Sequence, residues 1–418
     1  MTSNQTQDDT LAQLKAGKLQ GVKQLKLQCG LTQFPQEIFN LTDSLEILDL
    51  TGNALCTLPN DLNRLKELRI LFCSSNQFTH LPEVLGECKN LSMIGFKANQ
   101  IRHIPENAIP TATLRWFIVT DNALEAVPNV LGECRQLQKL MLAGNQLTTL
   151  PESMANCHAL ELLRVSANQF QALPDFLFDL PKLTWLAYAG NPFCNEIEQH
   201  LIKQHQVINQ HQVNAIDWQT LTLQNVLGQG ASGVTYQAMW HPKNQAAEAV
   251  AVKLFKSGLT SDGLPRCEMH ANILAGEHPN LVGVKGVIHN HPQGKLGLVM
   301  PLLVADLKIL ANPPSFESCS RDVYKDDLTL TLTDVQHIMF NITNAAKHLY
   351  ARGLMHGDLY AHNILWNAQK AVLSDLGGAS FLPLDNEALT QNLLKLEARA
   401  LEVLSQELVN RSQLEPSH

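Results

Sequence analysis

The sequence predicts an α/β repeat solenoid followed by an α+β domain of different architecture. Three observations support this division. An asparagine recurs every 23 residues between positions 53 and 191, and this period stops near residue 217. From there the sequence alternates apolar and polar residues, as β-strands do, and a glycine-rich loop, GQGASG, lies between two strand-like segments. We therefore expect a repeat domain with a cap at each end at 1–216, and a second domain at 217–418.

The recurring asparagine lies within a longer motif, L-x-x-L-x-L-x-x-N-x-L-x-x-L-P, which resembles the leucine-rich repeat. The L-x-L segment predicts a short strand, the asparagine is expected to bond backbone groups of neighbouring coils, and Leu-Pro ends the strand. Since no repeat can bury its apolar face alone, DDTLAQLKAGKLQG and NEIEQHLIKQHQVINQHQVNAI are predicted to cap the array. The repeated asparagines are Asn53, Asn76, Asn99, Asn122, Asn145, Asn168 and Asn191.

The variable strand positions of the repeats are predicted to face solvent on a concave surface. They are Glu46, Asp49, Arg69, Lys97, Arg115, Trp116, Lys139, Arg164 and Trp185. Repeat arrays commonly bind partners with this surface, so we expect a protein partner there; a merely solvated face is the alternative. Cys88, Cys134 and Cys157 occupy equivalent repeat positions and are predicted to be small buried core residues.

The bulk composition argues against several classes of protein. The 418 residues are 45% hydrophobic, which is ample for buried cores, and the net charge is −8. Because the charge is negative and no basic tract occurs, we expect no nucleic-acid partner. No apolar run is long enough to span a bilayer, and the polar start MTSNQTQDDT is unlike a secretory signal. Nine cysteines, none in CxxC, predict reduced thiols and a cytoplasmic location.

The glycine-rich loop of the second domain predicts a phosphate-binding segment. A GxGxxG pattern also occurs in dinucleotide-binding folds, where it leads from a strand into a helix. Here strand-like sequences flank the loop on both sides, LTLQNV before it and VTYQAMW after it, which favours a strand-loop-strand hairpin. Gly228, Gly230 and Gly233 would let backbone N–H groups approach phosphates, because they carry no Cβ.

Three further segments carry charged or polar residues of the kinds that bind or act on a substrate. Lys253 lies in the buried strand AVAVKLF, and a buried lysine needs an anion, for which Glu268 is the candidate; otherwise Lys253 extends its amine to solvent. HGDLYAHN contains Asp358 and Asn363, which either act on a substrate or brace a turn. Asp375 begins DLGG, which on its own indicates only a strand-ending turn.

The order of these segments resembles that of a protein kinase, and with the repeats the chain resembles a bacterial, intracellular leucine-rich-repeat protein kinase. The resemblance implies a bilobal α+β domain, with a small lobe at about 217–302 and a large lobe at about 303–418. Gly357 stands where many kinases have arginine, and Tyr360 where Ser/Thr kinases place a lysine for the γ-phosphate. The activation segment after Gly377 is nearly absent, so the large lobe is expected to be truncated.

The resemblance also implies residue roles. Asp358, Lys253 and Asn363 would be catalytic, with Asp358 accepting the proton of the attacking hydroxyl. Asn363 and Asp375 would bind Mg²⁺. His356 is expected to brace the DLG turn and not to transfer protons. The residues implied to hold ATP are Gly228, Gly230, Gly233, Val234, Lys253, Glu268, Met300, Leu302 and Asp306.

These roles predict an ATP- and Mg²⁺-dependent protein kinase that phosphorylates a hydroxyl group, that of Ser or Thr, while its repeats recruit a partner or substrate. Two alternatives remain open. One is a scaffold or nucleotide-sensing pseudokinase whose repeats bind a protein. The other is a kinase for a small molecule, since the shortened activation segment removes much of a peptide platform.

Overall fold

The computed structural model describes residues 3–208, 214–230, 232–256, 258–260, 262–303 and 306–413. The chain forms two compact units, the first made of residues 1–163 and 168–183 and the second of residues 164–167 and 184–418. Residues 184–208 and 214–216 belong to the second unit, whereas the sequence predicts them as part of the repeat domain that ends at residue 216. None of the helices in these ranges is long and apolar enough to cross a membrane.

The first unit begins with helix α1 (Ser3–Lys15), which overlaps the first part of the segment DDTLAQLKAGKLQG predicted to cap the repeats. Seven three-residue strands follow, of which the last ends at a residue of the second unit. They are β1 (Gln24–Lys26), β2 (Ile47–Asp49), β3 (Ile70–Phe72), β4 (Met93–Gly95), β5 (Trp116–Ile118), β6 (Lys139–Met141) and β7 (Leu162–Arg164). Strands β1 to β6 pair in parallel and in chain order. Each return segment contains a short 3₁₀ turn, for example Glu83–Glu87 directly after Pro82.

The repeated asparagines bond the backbone of neighbouring coils, as predicted. Asn145 accepts from the N–H of Leu124 at 3.0 Å, while its Nδ2 donates to the carbonyls of Val119 at 3.0 Å and Leu142 at 2.9 Å. The other internal asparagines make equivalent contacts, and Asn53 donates to Leu27 O at 2.8 Å. Each asparagine therefore pairs backbone groups that the turn would otherwise bury without partners.

The cysteine prediction is also confirmed. Cys88, Cys134 and Cys157 are buried between coils, and all nine cysteines are free thiols. Burial raises the pKa of the Cys134 thiol to about 12, so it stays protonated and behaves as a small apolar side chain.

The prediction of a solvent-facing strand surface is wrong at three positions. Lys139, Arg164 and Trp185 are buried, whereas the other six of the predicted residues are partly exposed. The Lys139 ammonium lies 4.3 Å from the centre of the Trp116 ring, which gives its charge a favourable neighbour. Arg164 and Trp185 are buried because both contact residues of the second unit, to which they belong.

The second unit begins with β8 (Trp185–Ala187) and α2 (Pro192–Ile208), followed by a six-stranded sheet and one helix. The sheet strands are β9 (Asn214–Asp217), β10 (Leu221–Gln229), β11 (Gly233–Trp240), β12 (Glu248–Phe255), β13 (Gly286–His289) and β14 (Gly297–Pro301), and the helix is α3 (Pro265–Ala275). The spatial order is β10-β11-β12-β14-β13-β9, with only β9 parallel to its neighbour. Val250, Val252 and Val299 are fully buried in the core of this sheet.

The remainder of the second unit contains two long helices and short strands in one three-stranded and two two-stranded sheets. The strands are β15 (Lys308–Ile309), β16 (Leu330–Thr331), β17 (Leu354–Met355), β18 (Ile364–Trp366), β19 (Ala371–Leu373), β20 (Ser380–Phe381) and β21 (Ser412–Gln413), and the helices are α4 (Leu332–Ala351) and α5 (Glu387–Val409). Thr331 and Asp334 form a capping box that starts α4. Helix α5 buries Leu393, Leu396 and Leu404 at helical spacing, as the periodicity of that segment predicts.

We predict that Asn145→Ala lowers the free energy of unfolding by roughly 3 kcal/mol or more, because three buried backbone groups lose their partners. Chemical denaturation of the full chain measures this. Asn90→Ala is the matched control, since Asn90 is exposed and donates only to Lys66 O at 2.7 Å. The control should change stability by no more than about 0.5 kcal/mol. Equal effects of the two substitutions would contradict the structural role given to the repeated asparagine.

Candidate functional site

A cavity of about 570 Å³ lies in the second unit, beneath the glycine-rich loop. It places together most residues that the sequence singled out, although they come from β10, β12, α3, β14 and the segments around β18 and β19. Those lining it are Gly228, Gly230, Gly233, Lys253, Glu268, Met300, Leu302, Asn363 and Asp375. Val234, Asp306 and Asp358 do not line it.

The glycine-rich loop joins two antiparallel strands and forms with them the strand-loop-strand hairpin that the flanking sequence predicts. Strands β10 and β11 pair from Leu221 with Trp240 to Gln229 with Val234. A Cβ added at Gly228 or Gly230 would meet no atom within 4 Å, so the space beside both residues is open. Gly233 differs, because a Cβ there would lie 2.5 Å from Leu254 O on the neighbouring strand.

Lys253 holds two carboxylates at the inner end of the cavity. Its Nζ forms an ion pair with Glu268 and lies 3.4 Å from Oδ1 of Asp375. Burial opposes a charge on this amine, but Asp375 and Glu268 together raise the pKa of Lys253 above its ordinary value. Lys253 therefore stays a cation and does not extend to solvent.

Asp375 sits in a strained conformation that directs its carboxylate toward the cavity. Its φ is +52°, in the left-handed region that non-glycine residues rarely adopt. The carboxylate accepts from the N–H of Gly377 at 3.1 Å, and its side chain is half exposed. Desolvation works against ionisation, but Lys253 and this N–H lower the pKa of Asp375, so the carboxylate is charged at neutral pH.

Asp358 and Asn363 form a second polar group, in the loop before β18. Nδ2 of Asn363 donates to the Asp358 carbonyl at 2.8 Å and lies 3.3 Å from Oδ2 of its carboxylate. His356 is fully buried, its Nε2 donating to Ser374 O at 2.9 Å and its Nδ1 accepting from the Asp358 N–H at 3.3 Å. Burial lowers the pKa of His356, so the ring is a neutral brace, as the sequence predicts.

Two residues of the repeat strands contact this loop, and sequence reasoning missed both. Arg164 forms ion pairs with Asp358 and with Asp262, the latter at 3.1 Å, and its NH1 donates to Gly357 O at 3.0 Å. Trp185 stacks on Tyr360 with ring centres 4.0 Å apart and donates through Nε1 to Leu359 O at 3.0 Å. Asp262 is the nearer in sequence of the two aspartates that pair with Arg164, and it is still 98 residues away. No local sequence pattern could therefore have revealed these pairs.

Asp306, like Val234, is a predicted nucleotide-binding residue that does not line the cavity. Its exposed carboxylate accepts from Nδ2 of Asn367 at 2.9 Å, outside the lining of the cavity. The cavity itself combines an apolar wall, which includes Ala251 and Met300, with a charged inner end. In the described part of the chain, no group of three or more His, Cys, Asp or Glu side chains is arranged to hold a metal ion.

Comparison with known proteins assigns a family to each region. The family model for protein tyrosine and serine/threonine kinases matches residues 221–413, and the leucine-rich-repeat model matches residues 136–157. The chain thus carries leucine-rich repeats followed by a protein kinase domain.

Relatives of the kinase domain include both tyrosine and cyclin-dependent kinases. The chain is 26% identical over 161 residues to tyrosine-protein kinase receptor TYRO3 of Danio rerio, covering 38% of this chain and 18% of the relative. It is 27% identical over 183 residues to cyclin-dependent kinase 11B of Rattus norvegicus, covering 43% of this chain and 38% of the relative. The chain therefore spans less than two fifths of either relative. A leucine-rich-repeat protein structure from Leptospira interrogans matches at 22% identity and TM-score 0.31, over 48% of this chain and 62% of that one.

We predict that Gly357→Ala destabilises the protein by about 2–4 kcal/mol, since it combines backbone strain with overpacking. Gly357 has φ +69°, and an added Cβ would meet Gly378 O and lie 2.8 Å from Leu186 O. Gly294→Ala is the matched control, because Gly294 has φ +64° but open space around it. In thermal unfolding, the control should lose only about 1–2 kcal/mol of stability, from backbone strain alone. If both variants unfold alike, the close approach at Gly357 does not constrain the loop.

Proposed function

We propose that this chain is an ATP- and Mg²⁺-dependent protein kinase that phosphorylates a Ser or Thr hydroxyl, with its repeats recruiting a partner or substrate. The observation that carries the proposal is the position of Lys253 between Glu268 and Asp375, at the inner end of an open cavity under the glycine-rich loop. A buried cation that keeps a half-exposed carboxylate beside it suits a polyanionic ligand that arrives with a metal ion.

The shape of the cavity fits ATP as the substrate. The open space at Gly228 and Gly230 allows phosphates to approach the backbone closely. Met300 and Leu302 line the same cavity and supply an apolar surface for the adenine. Lys253 supplies a fixed positive charge for the phosphates, and Glu268 fixes the position of Lys253. Val234 and Asp306 receive no nucleotide contact in this proposal, because neither lines the cavity.

The polar side chains at the inner end fit Mg²⁺. Asp375 offers carboxylate oxygens, and Asn363 uses Nδ2 toward Asp358, which leaves its Oδ1 as the atom able to bind a metal ion. Carboxylate and amide oxygens are the ligands that Mg²⁺ prefers. When bound, the ion would neutralise the negative charge that develops on the phosphates during transfer.

Asp358 serves as the group that orients the acceptor. Its carboxylate accepts the proton of the hydroxyl while that oxygen bonds to the γ-phosphorus, and the bond from phosphorus to the ADP oxygen breaks. Asn363 and Arg164 hold the Asp358 carboxylate from two sides, so little reorganisation is needed.

The repeats are proposed to recruit a protein through the partly exposed charged residues of the first strands. Glu46 illustrates this surface, since it bonds Lys23 at 2.8 Å and Arg69 at 3.0 Å while remaining accessible. Such a charged surface suits electrostatic recognition of a protein partner.

A pseudokinase scaffold is the second candidate, favoured by one observation. Only residues 379–386 separate the 3₁₀ turn Leu376–Gly378 from α5, and two of them form β20. This leaves little chain to build a platform for a peptide. In this alternative the cavity binds nucleotide without turnover, and the repeats perform the function by binding a partner.

We predict that the purified full chain, with Mg²⁺ and labelled ATP, transfers phosphate to itself or to a partner protein. Asp375→Ala should reduce the initial rate at least about 100-fold, because it removes both a metal ligand and a neighbour of Lys253. Asp326→Ala, which removes an exposed carboxylate of the same unit, should retain the wild-type rate. Phosphosite mapping then identifies the acceptor.

Two results would count against kinase activity. Equal labelling by wild type and Asp375→Ala would mean that the label does not come from this site. Nucleotide binding by the wild type without any phosphosite, and with partner binding unchanged in Asp358→Asn, would favour the scaffold.

A further inference from the structure

Arg164 is the buried cation at this site that does not come from the kinase sequence motifs. It belongs to β7, a repeat strand, yet its side chain is only 1% exposed and lies among residues of the second unit. Its guanidinium donates three hydrogen bonds to groups on other segments: Asp262, the Gly357 carbonyl and Asp358. A fully desolvated guanidinium is costly unless such partners satisfy it, so its position is tightly determined.

The contact with Asp358 restricts the carboxylate on both of its oxygens. Arg164 NH2 donates to Oδ1, and Asn363 Nδ2 approaches Oδ2 at 3.3 Å. Rotation of the carboxylate would break one contact or the other. The Asn363 contact is long, so Oδ2 keeps the capacity to accept a further hydrogen bond from a hydroxyl.

The backbone of the same loop is held from the same side. Arg164 NH1 bonds the Gly357 carbonyl, and Trp185 Nε1 bonds the Leu359 carbonyl. The residues on either side of Asp358 are therefore fixed by two side chains of neighbouring repeat strands. Tyr360 is 3% exposed and stacks on Trp185, and its phenol carries no positive charge that could pair with Asp358.

We propose that Arg164 is a positioning residue for phosphoryl transfer: a repeat strand supplies the cation that orients Asp358, and residues 164–167 and 184–191 form part of the catalytic unit. This inference rests on the proposed kinase function. It means that the repeats act on the chemical step as well as on recruitment. Orientation of a reacting group is worth a large rate factor, since a misplacement of about 1 Å costs on the order of 100-fold.

The test compares the turnover of Arg164 variants of the full chain with that of a matched arginine variant. Arg164→Gln should lower kcat about 100-fold while leaving KM for ATP within about twofold, because Arg164 does not line the nucleotide cavity. Arg164→Lys should recover part of the loss, since it keeps the charge but not the forked geometry. Arg64→Gln, which breaks an exposed pair with Asp61 at 2.9 Å in the first unit, should leave kcat unchanged.

A double-substitution cycle tests whether Arg164 acts through Asp358. In the Asp358→Asn background, adding Arg164→Gln should cause little further loss of kcat, because the group that it positions is already disabled. Circular dichroism and thermal unfolding check that each variant folds. If Arg164→Gln fails to fold, Arg164→Lys carries the test, with the same selective fall in kcat expected.

Hydrogen exchange separates this inference from the kinase proposal. Exchange of the peptide covering 356–363 should accelerate in Arg164→Gln and not in Arg64→Gln, whether or not the protein turns over ATP. If the wild type shows no transfer, the kinase proposal fails and exchange alone decides the positioning role. Unchanged exchange would overturn the inference. So would wild-type kcat in Arg164→Gln, and so would a higher kcat, which would mean that Arg164 blocks Asp358.

Discussion

The site depends on the balance between four carboxylates and two buried cations. The carboxylates are Asp262, Glu268, Asp358 and Asp375. Three of them converge on Gly377, where a Cβ would lie 3.2 Å from Asp375 Oδ1, 3.6 Å from Glu268 Oε2 and 3.9 Å from Asp262 Oδ2. Like charges grouped around one point repel each other, so counter-charges stabilise this arrangement. Lys253 and Arg164 each contact two of the carboxylates and supply these counter-charges.

The two cations have different origins, and this shapes the architecture. Lys253 is fixed by the sheet, through pairing of β12 with β11 and β14. Arg164 is fixed by a repeat strand, and Trp185 of the next strand packs against the same loop. The repeat positions that would ordinarily face solvent are thus used for internal packing in the last two strands. The unit that contains the site consequently begins within the repeats and not after them.

Much of this could be predicted from sequence, because its signals are local. The 23-residue period locates the repeat strands. The asparagine hydrogen bonds follow from the need to pair backbone groups in the turns. The strand-like sequences beside the glycine-rich loop distinguish a hairpin from the start of a helix. The Lys253–Glu268 pair could also be anticipated, since a buried lysine needs an anion. The partners of Arg164 could not, because Asp262 and Asp358 are 98 and 194 residues away and no local period links them. The nucleotide contact predicted for Asp306 stays a prediction; its carboxylate accepts from Asn367 and lies outside the lining of the cavity.

Calorimetric titration of the full chain with a non-hydrolysable ATP analogue, with and without Mg²⁺, tests the central claim most directly. The claim is that the cation–carboxylate arrangement is a nucleotide–metal site. The wild type should bind the analogue more tightly with Mg²⁺, Lys253→Met should lose at least about tenfold in affinity, and Asp375→Ala should lose the effect of Mg²⁺. Binding that is unchanged in both variants, or absent in the wild type, would contradict the account.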